Sequence, residues 1–563
     1  MHICRQGGTK IVMESNNDKK KVSDRLMALL FILLFVGSVF IVSGRDYDLF
    51  DTYRKYWTII IGLLFIIYVS VCLHIKKGKL QIPIDIILKS IFATGVMECI
   101  YALAQFFKIL PTYNRYYAYT GSFDNPAVFA MLLSVCVPIA VYYANNKTCS
   151  KKEKILWWTG AAGMLVFIGF SESRTGFLSA IISSAIVLLS VSDTMRKKLL
   201  NLRTILILIP LALILLFLLY RFKADSANGR LLMWRVSMEM IKEHPVLGWG
   251  HDGFTAHYME HQARYLTDNP DSPFILLADN VNNPFNEYLL VLVNYGLAGL
   301  FLLLVLLVLL FKRLKSLSEA YKPLMIGMTV GVMTWSFFSY PFSVPFVWVI
   351  VSLILIVAFF PYVCNHYVKA GITLSLLCVV GLFMAIHSFI PEREWKIISQ
   401  RSMQGETEAV LPDYKCLHGR MGKNWRFLYN YGAELHHSKR YDKSLSILDE
   451  CRKRLNDYDV QMLIGDCLQN TGDTIKAIEH YTYAGHMVPS KFLPQYYIMK
   501  LYIDKGDILN AITVANAILA KDVKVERSKA VQKIIREAQE TVKMDVLTNH
   551  GNIVNDYQLT KYE

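Results

Sequence analysis

The stretch PFNEYLLVLVNYGLAG, Pro284 to Gly299, opens in polar sequence and leads directly into an apolar run that continues to Phe311. Beyond Glu287 that run holds no charged residue. A helix needs about 20 apolar residues to cross a hydrocarbon core, and this run has the length. It sets an amide and a carboxylate, Asn286 and Glu287, at its edge and two glycines, Gly296 and Gly299, further in. Similar blocks recur near 26–43, 57–74, 84–107, 127–144, 155–170, 176–193, 204–220, 323–341, 345–362 and 370–390. The reading is an all-α polytopic membrane protein of about eleven transmembrane helices, followed by a soluble α-solenoid.

Composition supports this. Of 563 residues 54% are hydrophobic and 19% charged, against about 25% charged in an ordinary soluble chain. The net charge of +15 sits in short runs between apolar blocks. It forms no single basic patch of the kind that grips nucleic acid, so no nucleic-acid partner is expected. KKGK (76–79), KKEK (151–154), RKK (196–198) and KRLK (312–315) occupy alternate connections and are placed in the cytoplasm by the positive-inside rule. The tail 1–25 joins them, and block 26–43 is a retained helix rather than a cleaved signal. An odd span count puts the C-terminal tail outside, with the polar loops 111–126 and 221–286. This topology depends on run 82–110 being one span. Two spans there would invert everything after it.

Four of the ten cysteines, Cys72, Cys99, Cys136 and Cys378, lie in apolar blocks. No CxxC pair or Cys/His cluster has zinc spacing. Cys416, Cys451 and Cys467 fall in the tail, where one disulfide would leave one thiol over.

The membrane part is read as 26–391, a linker as 392–423, a repeat region as 424–543 and a frayed end as 544–563. A rhythm near 34 residues relates Ala433, Gly465 and Met499, then Arg440, Gly472 and Gly506, then Leu445, Ala477 and Ala511. NTGDTIKAIEHY (470–481) and DKGDILNAITVA (504–515) resemble the turn and second helix of tetratricopeptide repeats. Stacked helix pairs bury a core that one repeat cannot bury alone. Such a region is either a docking surface for a protein or glycan partner or a passive cap.

In loop 221–286, Leu231, Trp234, Met238 and Ile241 share one face of an amphipathic helix, with Arg235, Glu239 and Lys242 off it. Such a helix can lie in the membrane interface, in contact with lipids. Pro245 ends it, and Gly248 and Gly250 permit a tight turn.

Four stretches together are similar to the superfamily of O-antigen ligases and O-antigen polymerases. They are GSFDNPAVFA (121–130), SRTGFLSA (173–180), Arg230 through PVLGWG (245–250), and the opening stretch. The ligase signature is His, then Asn, Ser or Gln, then nine residues, then Gly-x-x-Gly. Here Asn286, Gly296 and Gly299 fit, and Phe285 stands where the His is expected.

The resemblance implies transfer of a saccharide from a polyprenyl diphosphate carrier to an acceptor hydroxyl at the periplasmic face of the bacterial inner membrane. Lipid A-core is the first acceptor, another glycan or a protein the alternatives. Arg174, Arg230 and Arg235 are candidates to hold the pyrophosphate through bidentate bonds. Their plain alternative is contact with lipid headgroups. Glu287 and Asp279 are candidates to replace the missing His as base, with Asn286 orienting. His251, His257 and His261 are further candidates in the same loop. Tyr258, Gln262, Asp124 and Asn125 are candidates to bind sugar hydroxyls. Neither metal nor cofactor is expected. The rivals are a polymerase, a protein O-oligosaccharyltransferase and, from a different class, a polysaccharide transporter or a pure scaffold. Polar groups gathered in one loop disfavour transport.

Overall fold

The computed structural model describes residues 23–41, 52–112, 117–192, 224–524 and 528–543, with isolated positions between them. Every long element among the described residues is a helix. Among the described residues eight helices are long and apolar enough to cross a membrane. They include α1 (Ser23–Phe40), α2 (Thr52–Ile75), α3 (Ile84–Phe106), α4 (Pro126–Ala144) and, after α5 (Lys151–Phe170), α6 (Arg174–Val191). The critical run 82–110 is thus one helix. Past α7 (Ala224–Glu243) and α8 (Gly253–Asp268) come α9 (Glu287–Lys315), α10 (Lys322–Phe338), α11 (Pro345–Asn365) and α12 (Tyr367–Arg401). The expected spans at 155–170 and 323–341 are helical as α5 and α10. The block 204–220 lies mostly outside the described residues. The chain is an all-α, multi-pass membrane protein.

It divides into two compact units, Met1–Leu219 with Phe285–Glu287 and Leu302–Lys396, and Tyr220–Pro284 with Tyr288–Phe301 and Ile397–Glu563. The boundary does not follow chain order. The long loop expected to belong to the membrane part shares a unit with the tail.

In the first unit α4 is the core helix. Its apolar window is 83% buried, against 17% for α9. Helices α3, α5, α6 and α10 pack around it. Helices α6 and α10 run antiparallel at close range. Ser179 Oγ donates to Gly331 O (3.1 Å), and a Cβ at Gly327 would stand 2.8 Å from Ser183 O. Small residues at such a seam let two helices approach.

In the second unit the tail is a series of helical hairpins. After the helical stretch through α13 (Thr407–Met421) come α14 (Trp425–His437), α15 (Tyr441–Arg452), α16 (Tyr458–Thr471), α17 (Thr474–Met487), α18 (Leu493–Asp504) and α19 (Ile508–Leu519), then a helix, α20, at 529–543. The stretch read as a linker is therefore helical. The repeated Gly-Asp dipeptide makes two of the hairpin turns. Gly472 (φ 88) and Gly506 (φ 76) are left-handed, and Asp473 N and Asp507 N donate back to Leu468 O (3.0 Å) and Tyr502 O (2.9 Å), the six-residue closure of a Schellman cap. Asp473 and Asp507 then cap the next helices through Lys476 N and Asn510 N. Gly465 lies against Tyr481, and Ala477 and Ala511 are fully buried. The described cysteines, including Cys416, Cys451 and Cys467, are free.

The loop that carries Asp252 and Asn280 is pinned to these hairpins. Asn280 Nδ2 donates to Asp457 Oδ2 (3.0 Å) and Asp459 Oδ2 (2.8 Å), and Arg454 Nη1 pairs with Asp252 Oδ2 at 2.7 Å.

Candidate functional site

Within the first unit, two sequence stretches meet at Tyr340, in the turn SYPFS after α10. Asn125 caps α4, its Oδ1 accepting from Ala127 N (2.9 Å), and its Nδ2 donates to Tyr340 Oη (3.3 Å). Phe285 meets the Tyr340 ring edge-on, centroids 5.1 Å apart. Phe285 is left-handed (φ 53), which costs a non-glycine residue about 1–2 kcal/mol. Asn286 beyond it is 6% exposed. Glu287 is half-buried, and its Oε1 accepts from Phe342 N (3.3 Å). Arg174, also half-buried, opens α6 beside its cap Ser173, whose Oγ accepts from Gly176 N (3.2 Å). Since α6 and α10 are antiparallel, Arg174 stands at the same end of this unit as Tyr340.

The turn that leads to Asn125 is built from buried polar groups. Gln105 Oε1 accepts from Thr120 N and Gly121 N, both at 2.9 Å. Glu98 Oε2 accepts from Ser122 N (3.0 Å), and Arg54 Nη2 donates to Ser122 O (3.0 Å). Gly121 (φ 64) is obligatory, because a Cβ there would lie 2.0 Å from Glu98 Oε2. Sequence reasoning passed over Arg54, Glu98, Gln105 and Tyr340. A carboxylate inside the apolar run of α3 was the available signal. Asp124 is exposed, and its carbonyl accepts from Asn114 Nδ2 (2.8 Å).

In the second unit, α7 buries Leu232, Val236 and Met240. The face read from the sequence is the outer one, with Leu231 and Met238 about half exposed. Arg230 is half-buried and Arg235 exposed, the latter with its guanidinium 5.1 Å above the Tyr265 ring. Trp234 Nε1 donates to Pro284 O (3.1 Å).

The turn after α7 is joined to α9. The latter is interrupted at Gly296 (φ 61, ψ −160). In an unbroken helix Leu297 N would bond Val293 O, and Ala298 N would bond Asn294 O. Instead Leu297 N and Ala298 N donate to Pro245 O (2.8 Å) and Val246 O (3.1 Å), while Val293 O and Asn294 O accept from Trp249 N and Gly250 N, both at 2.9 Å. The PVLGWG segment is spliced into the break. Asn294 adds its side chain, accepting from Phe254 N (3.0 Å) and donating to His251 O (2.8 Å). His251 Nδ1 lies 2.9 Å from Tyr295 Oη. The element that Gly296 admits is this turn and not a neighbouring helix, for a Cβ there would lie 2.3 Å from Val246 O. Gly299 faces Tyr295 and Val291 of its own helix.

Tyr258 and Gln262 belong to the core. Both are fully buried; Tyr258 Oη donates to Gln262 Oε1 (3.0 Å), and Gln262 Nε2 donates to Asp279 O (3.1 Å) and Met487 O (2.8 Å). Burial raises the Tyr258 phenol far above its ordinary value. Their polar atoms are taken up inside the protein, which leaves none for sugar hydroxyls. The Asp279 carboxylate is exposed and 3.9 Å from Lys524. His257 and His261 pack on Trp249, with ring centroids 4.4 and 5.5 Å from its own.

No curated protein matches the chain. Residues 159–304 match the family model described as O-antigen ligase. The matched span contains Arg174, Arg230, Arg235, Asp279, Asn286 and Glu287, and both sides of the splice. Residues 159–304 of this chain are thus similar to the O-antigen ligase family.

Proposed function

We propose that the chain transfers a saccharide from a polyprenyl diphosphate carrier to an acceptor hydroxyl, lipid A-core first, at the periplasmic face of the inner membrane. The family acts on lipid-linked sugars. In the reaction the acceptor oxygen bonds to the anomeric carbon, the bond from that carbon to the diphosphate breaks, and the hydroxyl proton departs. Arg174 neutralises the charge that develops on the leaving diphosphate, where fixed cations act most strongly in a water-poor cleft, and Arg230 and Arg235 are the second unit's candidates for the same role. Glu287 accepts the proton, and Asn286 orients the acceptor. No metal is required, since the arginines perform the electrostatic task.

The observation that carries this reading is Glu287 itself. It is a half-buried carboxylate in the matched segment, one position from Asn286, with one oxygen on Phe342 N, at the end of its unit where Arg174 stands. Phe285, in place of a histidine, serves as a wall against Tyr340.

The hairpins of the tail, read as tetratricopeptide-like, dock a protein or glycan partner. Supporting this is a cavity of about 520 Å³ among the ends of α8 and α17–α19, lined by Tyr481, Thr482, His486, Gln495, Tyr502 and Lys521 among others, with no carboxylate in the lining.

The test is a transfer assay with purified protein in vesicles, a synthetic polyprenyl diphosphate saccharide and lipid A-core. Glu287→Gln should slow transfer by about 10²–10⁴-fold, and Phe285→His should be tolerated. A Gln variant at the wild-type rate removes Glu287 from the chemistry. In a deletion strain, loss of chains from the lipid core supports this acceptor, whereas single-repeat chains or bare proteins point to the polymerase or the protein-directed enzyme.

A further inference from the structure

We propose that the turn following α7 is a membrane wedge, with Val246 and Leu247 inserted among the acyl chains of one leaflet. The inference concerns how the protein meets the bilayer and does not depend on the chemistry above.

It begins with depth along α9. The helix ends in Lys312, Arg313 and Lys315, which mark one polar boundary. A hydrocarbon core of about 30 Å takes about 20 residues. Counting back from Lys312 reaches Leu292, so the break at Gly296 falls inside the apolar slab.

The second step is pairing. Backbone without water must bond internally, and non-helical backbone is tolerated at such depth only where its groups are satisfied. The break frees two amides and two carbonyls, and residues 245–250 take all four. A break facing water would need no such arrangement.

The third step is what the turn exposes. Pro245 and Val246 bond directly to Leu297 and Ala298, so the turn lies at their level. Val246 is 61% and Leu247 74% exposed. Leu297 (56%) and Phe301 (70%) continue the same uncovered apolar surface along α9. In water two such neighbouring side chains have no reason to stand outward. At this depth, acyl chains cover them at about 25 cal/mol per Å² of apolar surface removed from water. The bilayer is the occupant that continuity with a membrane span selects.

The test uses a nitroxide at Leu247→Cys in full-length protein, in a Cys416→Ser background to remove the exposed tail thiol, reconstituted in phosphatidylethanolamine/phosphatidylglycerol vesicles. The labelled Cys416→Ser parent supplies the correction for other native thiols. Collision with dissolved oxygen, which concentrates in lipid, is compared with collision with a water-soluble nickel chelate. Leu306→Cys on α9 is the lipid reference, and Asp271→Cys in the exposed loop the water reference. The expected result is a Leu247 label that favours oxygen several-fold, as at Leu306. A label that favours the nickel chelate, as at Asp271, or one shielded from both by protein, overturns the wedge. All three positions are exposed, so the substitutions leave packing unaltered, and the readout does not use transfer activity.

Discussion

Substituting alanine at Gly296 tests the splice most directly. Its conformation, φ 61 and ψ −160, is close to one reserved for glycine, at a strain of about 1–3 kcal/mol for other residues. The new Cβ would also stand 2.3 Å from Val246 O, 2.4 Å from Val246 C and 2.7 Å from Leu247 N. All three are backbone atoms with no rotamer to yield, so the turn must move. Its bonds from Leu297 N and Ala298 N then stretch, and each buried donor left unsatisfied costs about 1–3 kcal/mol. Together the loss is roughly 3–9 kcal/mol. Two other glycines calibrate it. Gly250 (φ 93) has open space around its Cβ position, so Gly250→Ala carries only the left-handed penalty of about 1–2 kcal/mol. Gly229 is inside α7 with nothing near, and Gly229→Ala should stabilise by about 0.5–1 kcal/mol. Thermal unfolding of purified protein should rank Gly229→Ala above wild type, then Gly250→Ala, then Gly296→Ala. Hydrogen exchange should rise over 245–250 and 297–298 in the last alone. A Gly296→Ala protein as stable as Gly250→Ala, with unchanged exchange, would refute the splice.

Three further outcomes are expected. Arg174→Lys keeps the charge but loses the planar fork, so transfer should fall about ten- to a hundred-fold with normal membrane insertion; near-normal activity returns Arg174 to a headgroup contact. A C-terminal alkaline phosphatase fusion should be active and a green fluorescent protein fusion dark, the reverse pattern defeating the periplasmic assignment of the tail. Burial, then the neighbouring Asp459 charge, raise the Asp457 carboxyl above its ordinary value of 3.8. The folded state therefore holds that proton more tightly, so the contribution is fully present below 3.8 and lost as pH rises through the raised value. Asp457→Asn keeps the cap on Val460 N and should flatten that fall in melting temperature; an unchanged pH profile would show that Asp457 does not cause it.

Legibility followed sequence distance. The membrane helices were readable because an apolar run reports its own length, and the Gly-Asp turns of the tail because both signals sit within six residues. That Asn286 and Glu287 stand at the start of α9 was readable for the same local reason. The partner of Gly296 was not. It lies in a turn between α7 and α8, and nothing in the spacing from Gly248 to Gly296 marks two backbones that touch. Tyr258 and Gln262 were misread because a tyrosine and a glutamine in a polar loop look solvated, and the carbonyl of Met487 that receives the Gln262 amide comes from α17. Glu98 and Arg54 were overlooked because the turn they organise, at Ser122, belongs to another block.

The spliced break also bears on the order in which the protein is made. The turn 245–250 leaves the ribosome before α9 does. The bonds at the break join Pro245, Val246, Trp249 and Gly250 to Val293, Asn294, Leu297 and Ala298, so α9 cannot take its final shape from its own residues alone: the segment made first completes the helix made later.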